Sequence, residues 1–349
     1  MRVGILALCG AVAFAVLATA NGAGYRYGVS DQAFYIPAVI HAATPGAFPR
    51  DAVLIDAQAR LMVLDELLAA LTRTTGVSLE SLFLIAYLAS LALIWAGVLL
   101  IGSQVYTRSP VDGAASATSG VRTGAWATAA LAAAMTLRHR IPRTSVNSFE
   151  PYFHPRMLAF GCGLLAIAAL LRRRRWWAIA LVGAGALVHV TTAIWFAVLI
   201  GVAIAVIDAQ LRRLVLAGAM AAAAIGLWAL FAGPLREATV RMDDVWLQAV
   251  ASKDSLFPNE WPFWSWATNL ALFGLLVAAH RHRRARGVAT EEDSALVWGA
   301  TALVAVFLVT LPAVAAHVAI AVQFQISRVF WLVDFLATIY VIGAIAVSA

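Results

Sequence analysis

The sequence predicts an all-α fold: a polytopic transmembrane helix bundle of about ten spans. First, the 349 residues are 62% hydrophobic and only 12% charged, against about 45–50% and about 25% in soluble domains. Second, apolar runs long enough to cross a bilayer recur along the chain. Third, the arginines cluster in short runs between them. This composition excludes an ordinary soluble enzyme, a disordered chain and a disulfide scaffold.

Each predicted span is an apolar run bounded by polar or charged residues. In chain order the runs are 3–19, 79–101, 123–137, 157–171, 176–207, 214–232, 263–279, 295–316 and 329–349. A single helix over 176–207 would overrun a hydrocarbon core of about 30 Å. That run therefore predicts two short helices with a turn near residues 189–192, which brings the total to ten.

The basic runs predict the orientation. Arginines concentrate at 172–175, 212–213 and 281–286, and short cytoplasmic loops are the ones enriched in arginine and lysine. We therefore expect an integral multi-pass protein of a bacterial plasma (inner) membrane with a cytoplasmic N-terminus. Residues 18–20 resemble a signal-peptidase site, but the polytopic remainder favours a retained first helix. The chain ends inside its last apolar run, which leaves open whether it is a fragment of something longer.

The domain prediction is one integral membrane domain over residues 1–349. Residues 21–78 lack a span-length apolar run but contain amphipathic patches such as 57–71, so they predict an extracytoplasmic loop with juxtamembrane helices. Residues 233–262 form a second predicted extracytoplasmic loop. The net charge of +7 lies mostly between spans and serves orientation, so we expect the lipid bilayer and no nucleic acid as a partner.

Asp31 is the first candidate functional residue on the predicted outer face. It lies about ten residues beyond the first span, in the aromatic-rich segment 25–37. A carboxylate in that place can act as a base. The alternative is structural: Asp31 would be the N-cap of a helix that begins at Gln32, and the aromatic residues would anchor the chain at the membrane interface.

A second candidate is a cluster of arginines on the same face, where the orientation rule predicts few. Arginine binds phosphate oxygens with two parallel hydrogen bonds, so the cluster predicts a phosphate site. The alternative is that the topology is wrong in this region. The predicted phosphate-binding residues are Arg138, Arg140, Arg143, Arg156 and Arg328.

Four further residues are candidates for the same site. Asp334 lies six residues into the last span, and acids inside the membrane are functional candidates by default. Glu150 and His154 flank the arginine cluster, and His189 lies at the predicted turn of 176–207. The spacing of the histidines does not support a metal site, so no cofactor is assigned, although a divalent metal is left open.

Residues 28–32 (Gly-Val-Ser-Asp-Gln), the amphipathic segments that follow through 49–51, and the topology together resemble the GT-C glycosyltransferases. These polytopic enzymes place an essential acid in the first extracytoplasmic loop, and Asp31 is the matching position. Many members pair that acid with a second one, which this chain lacks there. The resemblance implies transfer of a sugar from a polyprenyl-phosphate donor to an acceptor, with Asp31 as the base. Two alternatives stay open: a transporter or lipid flippase, and a non-catalytic membrane scaffold.

Overall fold

The computed structural model describes residues 2–59, 62–106, 117–137, 141–147, 149–233 and 235–348. Within these ranges the chain is all-α, as predicted, with short 3-10 turns at Arg236–Thr239, Pro258–Glu260 and Ile326–Arg328. The chain forms two compact units. The first unit comprises 1–104, 124–137 and 149–197, and the second comprises 105–123, 138–148 and 198–349.

Fifteen α-helices lie within the described residues. They are α1 Arg2–Asn21, α2 Gln32–Ala43, α3 Ala52–Ala59, α4 Leu64–Thr75, α5 Leu79–Tyr106, α6 Ala117–Thr136, α7 Pro155–Leu171, α8 Arg175–Val188, α9 Val190–Ile207, α10 Ala209–Phe231, α11 Asp244–Val250, α12 Phe263–Ala285, α13 Glu291–Ala315, α14 Ala319–Gln323 and α15 Val329–Ser348.

Six segments of the described chain are long and apolar enough to cross a membrane. They are Leu79–Tyr106, Val190–Ile207, Ala209–Phe231, Phe263–Ala285, Glu291–Ala315 and Ala319–Ile345. Four shorter apolar helices coincide with the other predicted spans: Ala7–Asn21, Trp126–Thr136, Pro155–Leu171 and Arg175–Val188. The protein is therefore a multi-pass helical membrane protein with six membrane-length segments, and the full count of ten stays a prediction.

The first loop contains three helices, α2, α3 and α4, of which α4 is amphipathic as predicted. In α4 the side chains of Leu64 and Leu68 are buried, whereas Leu67 and Leu71 are exposed. The helix ends at Gly76, whose φ of 69° is left-handed and whose N–H bonds to the Thr72 carbonyl. Glycine takes this conformation without the Cβ clash that other residues meet.

The apolar run 176–207 is broken at His189, where φ is −157° and ψ is 96°. Before the break, Gly185 lies beside α7, where a Cβ would be 3.5 Å from the Ala159 carbonyl oxygen. After it, the Phe196 ring contacts Phe160 of α7 at a centroid distance of 5.4 Å. Both contacts fall at the same level of α7, so the chain reverses at His189 as the sequence predicts.

Helices α5 and α7 of the first unit approach closely at two glycines. A Cβ at Gly97 would lie 2.6 Å from the Leu164 Cβ, and one at Gly161 would lie 2.8 Å from the Leu93 Cβ. Small residues let two backbones approach in this way, which is common between membrane helices. This packing holds α7 in place, and α7 carries part of the site described below at its N-terminus.

The second unit contains a buried polar cluster between α12, α13 and α15. The Arg283 side chain is fully buried and lies 3.9 Å from an Asp293 carboxylate oxygen. Asp293 also accepts a 2.7 Å hydrogen bond from the Tyr340 hydroxyl and completes a capping box with Thr290. Two residues that the sequence assigns to a polar connection thus tie three helices together.

Candidate functional site

Two segments of the first unit dock against each other to form the site. One is the loop between α1 and α2, and the other is the segment 149–156 that leads into α7. The Arg26 amide donates a 2.8 Å hydrogen bond to the Pro151 carbonyl. Gly28, at φ 77°, and Ser30, at φ 53°, turn the loop back toward α2. The result places Asp31 over the start of α7.

Gln32 holds the α1–α2 loop against the segment 149–156. Its side chain is fully buried, and its Oε1 accepts a 2.7 Å hydrogen bond from the Gly28 amide. Its Nε2 donates a 3.1 Å bond to the Phe153 carbonyl. Because both polar atoms of this buried side chain have partners, Gln32 clamps the loop to the segment before α7.

Asp31 is held by His154. The His154 Nε2 lies 3.1 Å from the Asp31 Oδ2, and the side chains are 4% and 45% exposed, respectively. Asp31 occupies the N-cap position of α2, but its side chain makes no capping hydrogen bond. Asp31 thus has the N-cap position that the structural alternative predicts, but its carboxylate contacts His154 at the start of α7 instead of capping α2.

The hydrogen bonds of His154 define its tautomer. His154 is the N-cap of α7, and its Nδ1 accepts a 3.1 Å hydrogen bond from the Arg156 amide. A ring nitrogen that accepts carries no proton, so the proton of the neutral ring is on Nε2 and is donated to Asp31. Burial, reinforced by the Arg156 charge, holds the pKa of His154 well below its usual value. The pair is therefore a neutral imidazole and a carboxylate.

Two tyrosines and a second histidine surround the pair. The Tyr152 hydroxyl lies 3.5 Å from the Asp31 Oδ2, a long contact. Burial, followed by the Glu150 charge, raises the pKa of Tyr152 to about 12, so it remains a donor. Tyr35 packs edge-on against the His154 ring at a centroid distance of 5.2 Å. Sequence reasoning missed Gln32 and Tyr152, although both flank residues that it selected.

His189 closes the site from the tip of the α8–α9 hairpin. Its ring lies 5.8 Å from the His154 ring, measured between centroids. Its Nδ1 accepts a 3.2 Å hydrogen bond from the Thr192 amide and lies 3.0 Å from the Thr192 hydroxyl. The same backbone break that reverses the chain therefore orients the His189 ring toward His154.

Arg156 forms a buried ion pair with Glu150, and the two side chains are only 5% and 6% exposed. The charge that the sequence assigns to a phosphate is thus balanced by a carboxylate of the same segment. A phosphate that bound Arg156 would replace Glu150 as its partner. The first unit therefore brings together Asp31, Glu150, His154, Arg156 and His189.

The remaining predicted residues belong to the second unit or lie outside the described residues. In the second unit, Arg143 pairs with Asp254 at 2.9 Å and lies over the Trp264 ring. Arg328 ends the 3-10 turn before α15, and Asp334 is fully buried within α15. Arg138 and Arg140 lie outside the described residues, as does His139.

Among the described residues, no group of three or more His, Cys, Asp or Glu side chains is placed to hold a metal ion. Comparison of the chain with protein-family models, curated proteins and solved structures gives no match. The structure by itself thus supports a multi-pass helical membrane protein with a polar site at one end of the first unit.

Proposed function

We propose that the protein is a membrane glycosyltransferase that moves a sugar from a polyprenyl-phosphate donor to an acceptor at the extracytoplasmic face. The observation that carries the proposal is the Asp31–His154 pair, in which a half-exposed carboxylate is held by a buried, neutral imidazole. A carboxylate in this state can accept a proton from a substrate hydroxyl. The membrane-length helices supply the apolar surface that a lipid-linked donor requires.

In the proposed reaction the acceptor oxygen bonds to the anomeric carbon as the bond from that carbon to the phosphate oxygen breaks. The phosphate leaves with the electron pair of the broken bond, and Asp31 takes the proton of the acceptor hydroxyl. His154 is a positioning residue, because its Nε2 proton holds the carboxylate and its Nδ1 is committed to the α7 backbone. Tyr152 adds a second, longer contact to the same oxygen.

The leaving phosphate gains negative charge, which nearby cations stabilise. Arg156 belongs to the same unit as Asp31 and is our first choice for this role, with Glu150 exchanged for phosphate when the donor binds. Arg138, Arg140, Arg143 and Arg328 keep the same role as a proposal based on their charge and their sequence position.

The outer location of the site is also part of the proposal. In the first unit, α7 separates His154 at its N-terminus from the basic turn at Arg172–Arg174, and the site lies at the His154 end. The orientation rule assigns the basic turn to the cytoplasm. Reporter fusions at Arg174 and Arg212 should both report cytoplasm, and Ser30→Cys should react with an impermeant thiol reagent in intact cells. Protection of that cysteine until lysis would contradict this placement.

The chemistry can be tested with the purified full chain and a panel of labelled polyprenyl-phosphate sugars, by following release of polyprenyl phosphate. Asp31→Asn preserves shape and removes the base, so turnover should fall at least about 100-fold while donor binding is retained. Asp51→Asn, an exposed acid of the same loop, is the matched control and should keep wild-type turnover. Wild-type turnover in Asp31→Asn would refute the assigned role.

One observation favours a transporter as a second candidate. The membrane-length segment Ala319–Ile345 is interrupted at Gln325, which has a left-handed φ of 49°, and Asp334 is buried beyond the break. Interrupted helices and buried acids are common in transporters. A transporter requires Asp334 and not Asp31, so solute uptake by proteoliposomes that is lost in Asp334→Asn and kept in Asp31→Asn would favour it.

A further inference from the structure

The first loop forms an open, acidic cavity of about 660 Å³ in the first unit. It lies between α2, α3 and α4 and is lined by His41, Asp56, Asp65 and Glu66, with small apolar residues such as Ala38 and Ile55 between them. This volume is in the range of small-molecule sites, about 300–1,000 Å³. None of Asp31, Tyr152, His154 and His189 lines it, so it is distinct from the site described above.

Asp65 is the residue that points to a ligand. It is only 7% exposed, it lines the cavity, and its Oδ1 has no hydrogen-bond partner among the described residues. A buried carboxylate oxygen without a partner costs free energy that a donor from a ligand would recover. Burial, and a hydrogen bond with Glu66, raise the pKa of Asp65 to about 6.

The other polar groups of the cavity do not supply that donor. The nearest counterpart of Asp56 is His41, whose Nε2 lies 3.6 Å from the Asp56 Oδ1. The His41 Nδ1 in turn lies 2.9 Å from the Ala47 carbonyl. Three carboxylates therefore face one half-enclosed space with a single histidine as their counterpart. The Asp56 side chain is 66% exposed and Glu66 is exposed, so solvent screens their charges. The buried Asp65 carboxylate is the group that favours a cationic occupant.

We propose that the acidic cavity binds an organic ammonium cation, with Asp65 as its principal anionic partner. An ammonium group offers up to three N–H donors to carboxylate oxygens, and a short carbon body fits the apolar residues between them. A neutral sugar would bring no positive charge to the buried Asp65 carboxylate. A bare metal ion requires several ligands around one point, and the described residues form no such group. The proposal does not rest on sugar transfer at Asp31.

The ammonium group can belong to a water-soluble amine or to a lipid headgroup. Val53, which lines the cavity, is 84% exposed, and its neighbour Leu54 is 54% exposed. Exposed apolar side chains beside membrane helices can lie in a membrane interface. Ethanolamine is the soluble form of the chemistry, and phosphatidylethanolamine carries the same ammonium on a lipid. The experiment therefore includes both forms.

The test is calorimetric titration of the purified full chain, in uncharged detergent, with ethanolamine, with glycerol as a neutral counterpart and with Mg²⁺. Ethanolamine should bind, and glycerol and Mg²⁺ should not. Asp65→Asn should weaken ethanolamine binding at least about tenfold, because a charge-assisted hydrogen bond is lost. Asp51→Asn, an exposed acid outside the cavity, should bind as the wild type does. Glu66→Gln provides a second cavity variant and should also weaken binding.

A titration in nanodiscs with and without phosphatidylethanolamine separates the sources. Competition by that lipid would assign the cavity to a headgroup, and its absence would assign it to a soluble amine; both agree with an ammonium site. Binding of ethanolamine that is unchanged in Asp65→Asn and Glu66→Gln would overturn the proposal. So would failure of ethanolamine to bind at millimolar concentration in both preparations, or equal binding of glycerol.

Discussion

The Asp31 site and the acidic cavity, both in the first unit, differ in whether their buried polar atoms have hydrogen-bond or ion-pair partners. Around Asp31, the polar atoms of Gln32 and both nitrogens of His154 have partners, and the Arg156 charge is balanced by Glu150. In the acidic cavity, three carboxylates line the same space, and the Asp65 Oδ1 has no hydrogen-bond partner among the described residues.

The difference separates a site that is organised before its substrate arrives from one that a ligand must complete. Fully satisfied polar networks rigidify their surroundings, whereas an unpaired buried group costs free energy. We therefore expect substitutions at the Asp31 site to destabilise the protein. We expect removal of charge from the cavity to stabilise it.

The largest effect should come from Arg156→Ala. It breaks the buried ion pair with Glu150, and breaking a buried pair from one side costs about 3–5 kcal/mol in unfolding free energy. Thermal unfolding of the purified protein measures the loss. The matched control is Arg143→Ala, whose pair with Asp254 is 36% and 31% exposed and should contribute about 1 kcal/mol or less. Equal losses in the two variants would contradict the contrast.

The next effect should come from Gln32→Ala. This change removes the hydrogen bonds to the Gly28 amide and the Phe153 carbonyl and should lower the unfolding free energy by about 2 kcal/mol. The exposed Gln248 is the control, and Gln248→Ala should change stability by less than about 0.5 kcal/mol. If Gln32→Ala unfolds like the wild type, the clamp between the two segments is not what holds the site.

Asp65→Asn should stabilise the protein at neutral pH. A folded-state pKa raised from 3.8 to about 6 means that the folded state binds more protons than the unfolded state between these values. Stability therefore falls as the pH rises through this window. The shift corresponds to about 3 kcal/mol, or about 1–2 kcal/mol after screening by solvent in the open cavity.

The same variant has an internal control in its pH dependence. The stabilisation by Asp65→Asn should be present at pH 7 and should shrink toward zero near pH 3, below both pKa values, where the wild-type carboxyl is mostly protonated in both states. Unfolding curves collected at both pH values decide it. A gain that is independent of pH would indicate that the charge of Asp65 is not its cause.

The smallest effect should come from His154 and should have the opposite sign. Its depressed folded-state pKa means that the unfolded state binds the extra proton as the pH falls below about 6.5. Stability should therefore drop by about 1 kcal/mol between pH 6.5 and 5.5. His154→Gln should remove that component of the slope. An unchanged slope would show that His154 is protonated in the folded protein.

The sequence is sufficient to predict the parts of this fold that depend on local pattern. Apolar runs and arginine clusters predict the membrane helices, and the excess length of 176–207 predicts the break that the structure places at His189. The amphipathic pattern predicts helices in the first loop, of which α4 is the clearest. These features follow from hydrophobic length and charge, which act over a few neighbouring residues.

The composition of the site depends on contacts between distant segments. Asp31 and His154 are 123 positions apart in the chain, and nothing local indicates that one holds the other. The sequence alone does not indicate that Arg156 pairs with Glu150, six residues earlier, so Arg156 is predicted as a cation available to a phosphate. The acidic cavity is equally hidden, since its carboxylates come from two helices and its histidine from a third.

The sequence by itself therefore determined that this is a multi-pass helical membrane protein. It also identified five candidate site residues of the first unit: Asp31, Glu150, His154, Arg156 and His189. Only the tertiary structure decided that these five share one unit, that Asp31 is held by a neutral imidazole, and that Arg156 forms an ion pair with Glu150. The physical reason is range. Hydrophobic pattern and propensity act along the chain, whereas hydrogen bonds and ion pairs require groups within about 3 Å in space, wherever they lie in sequence.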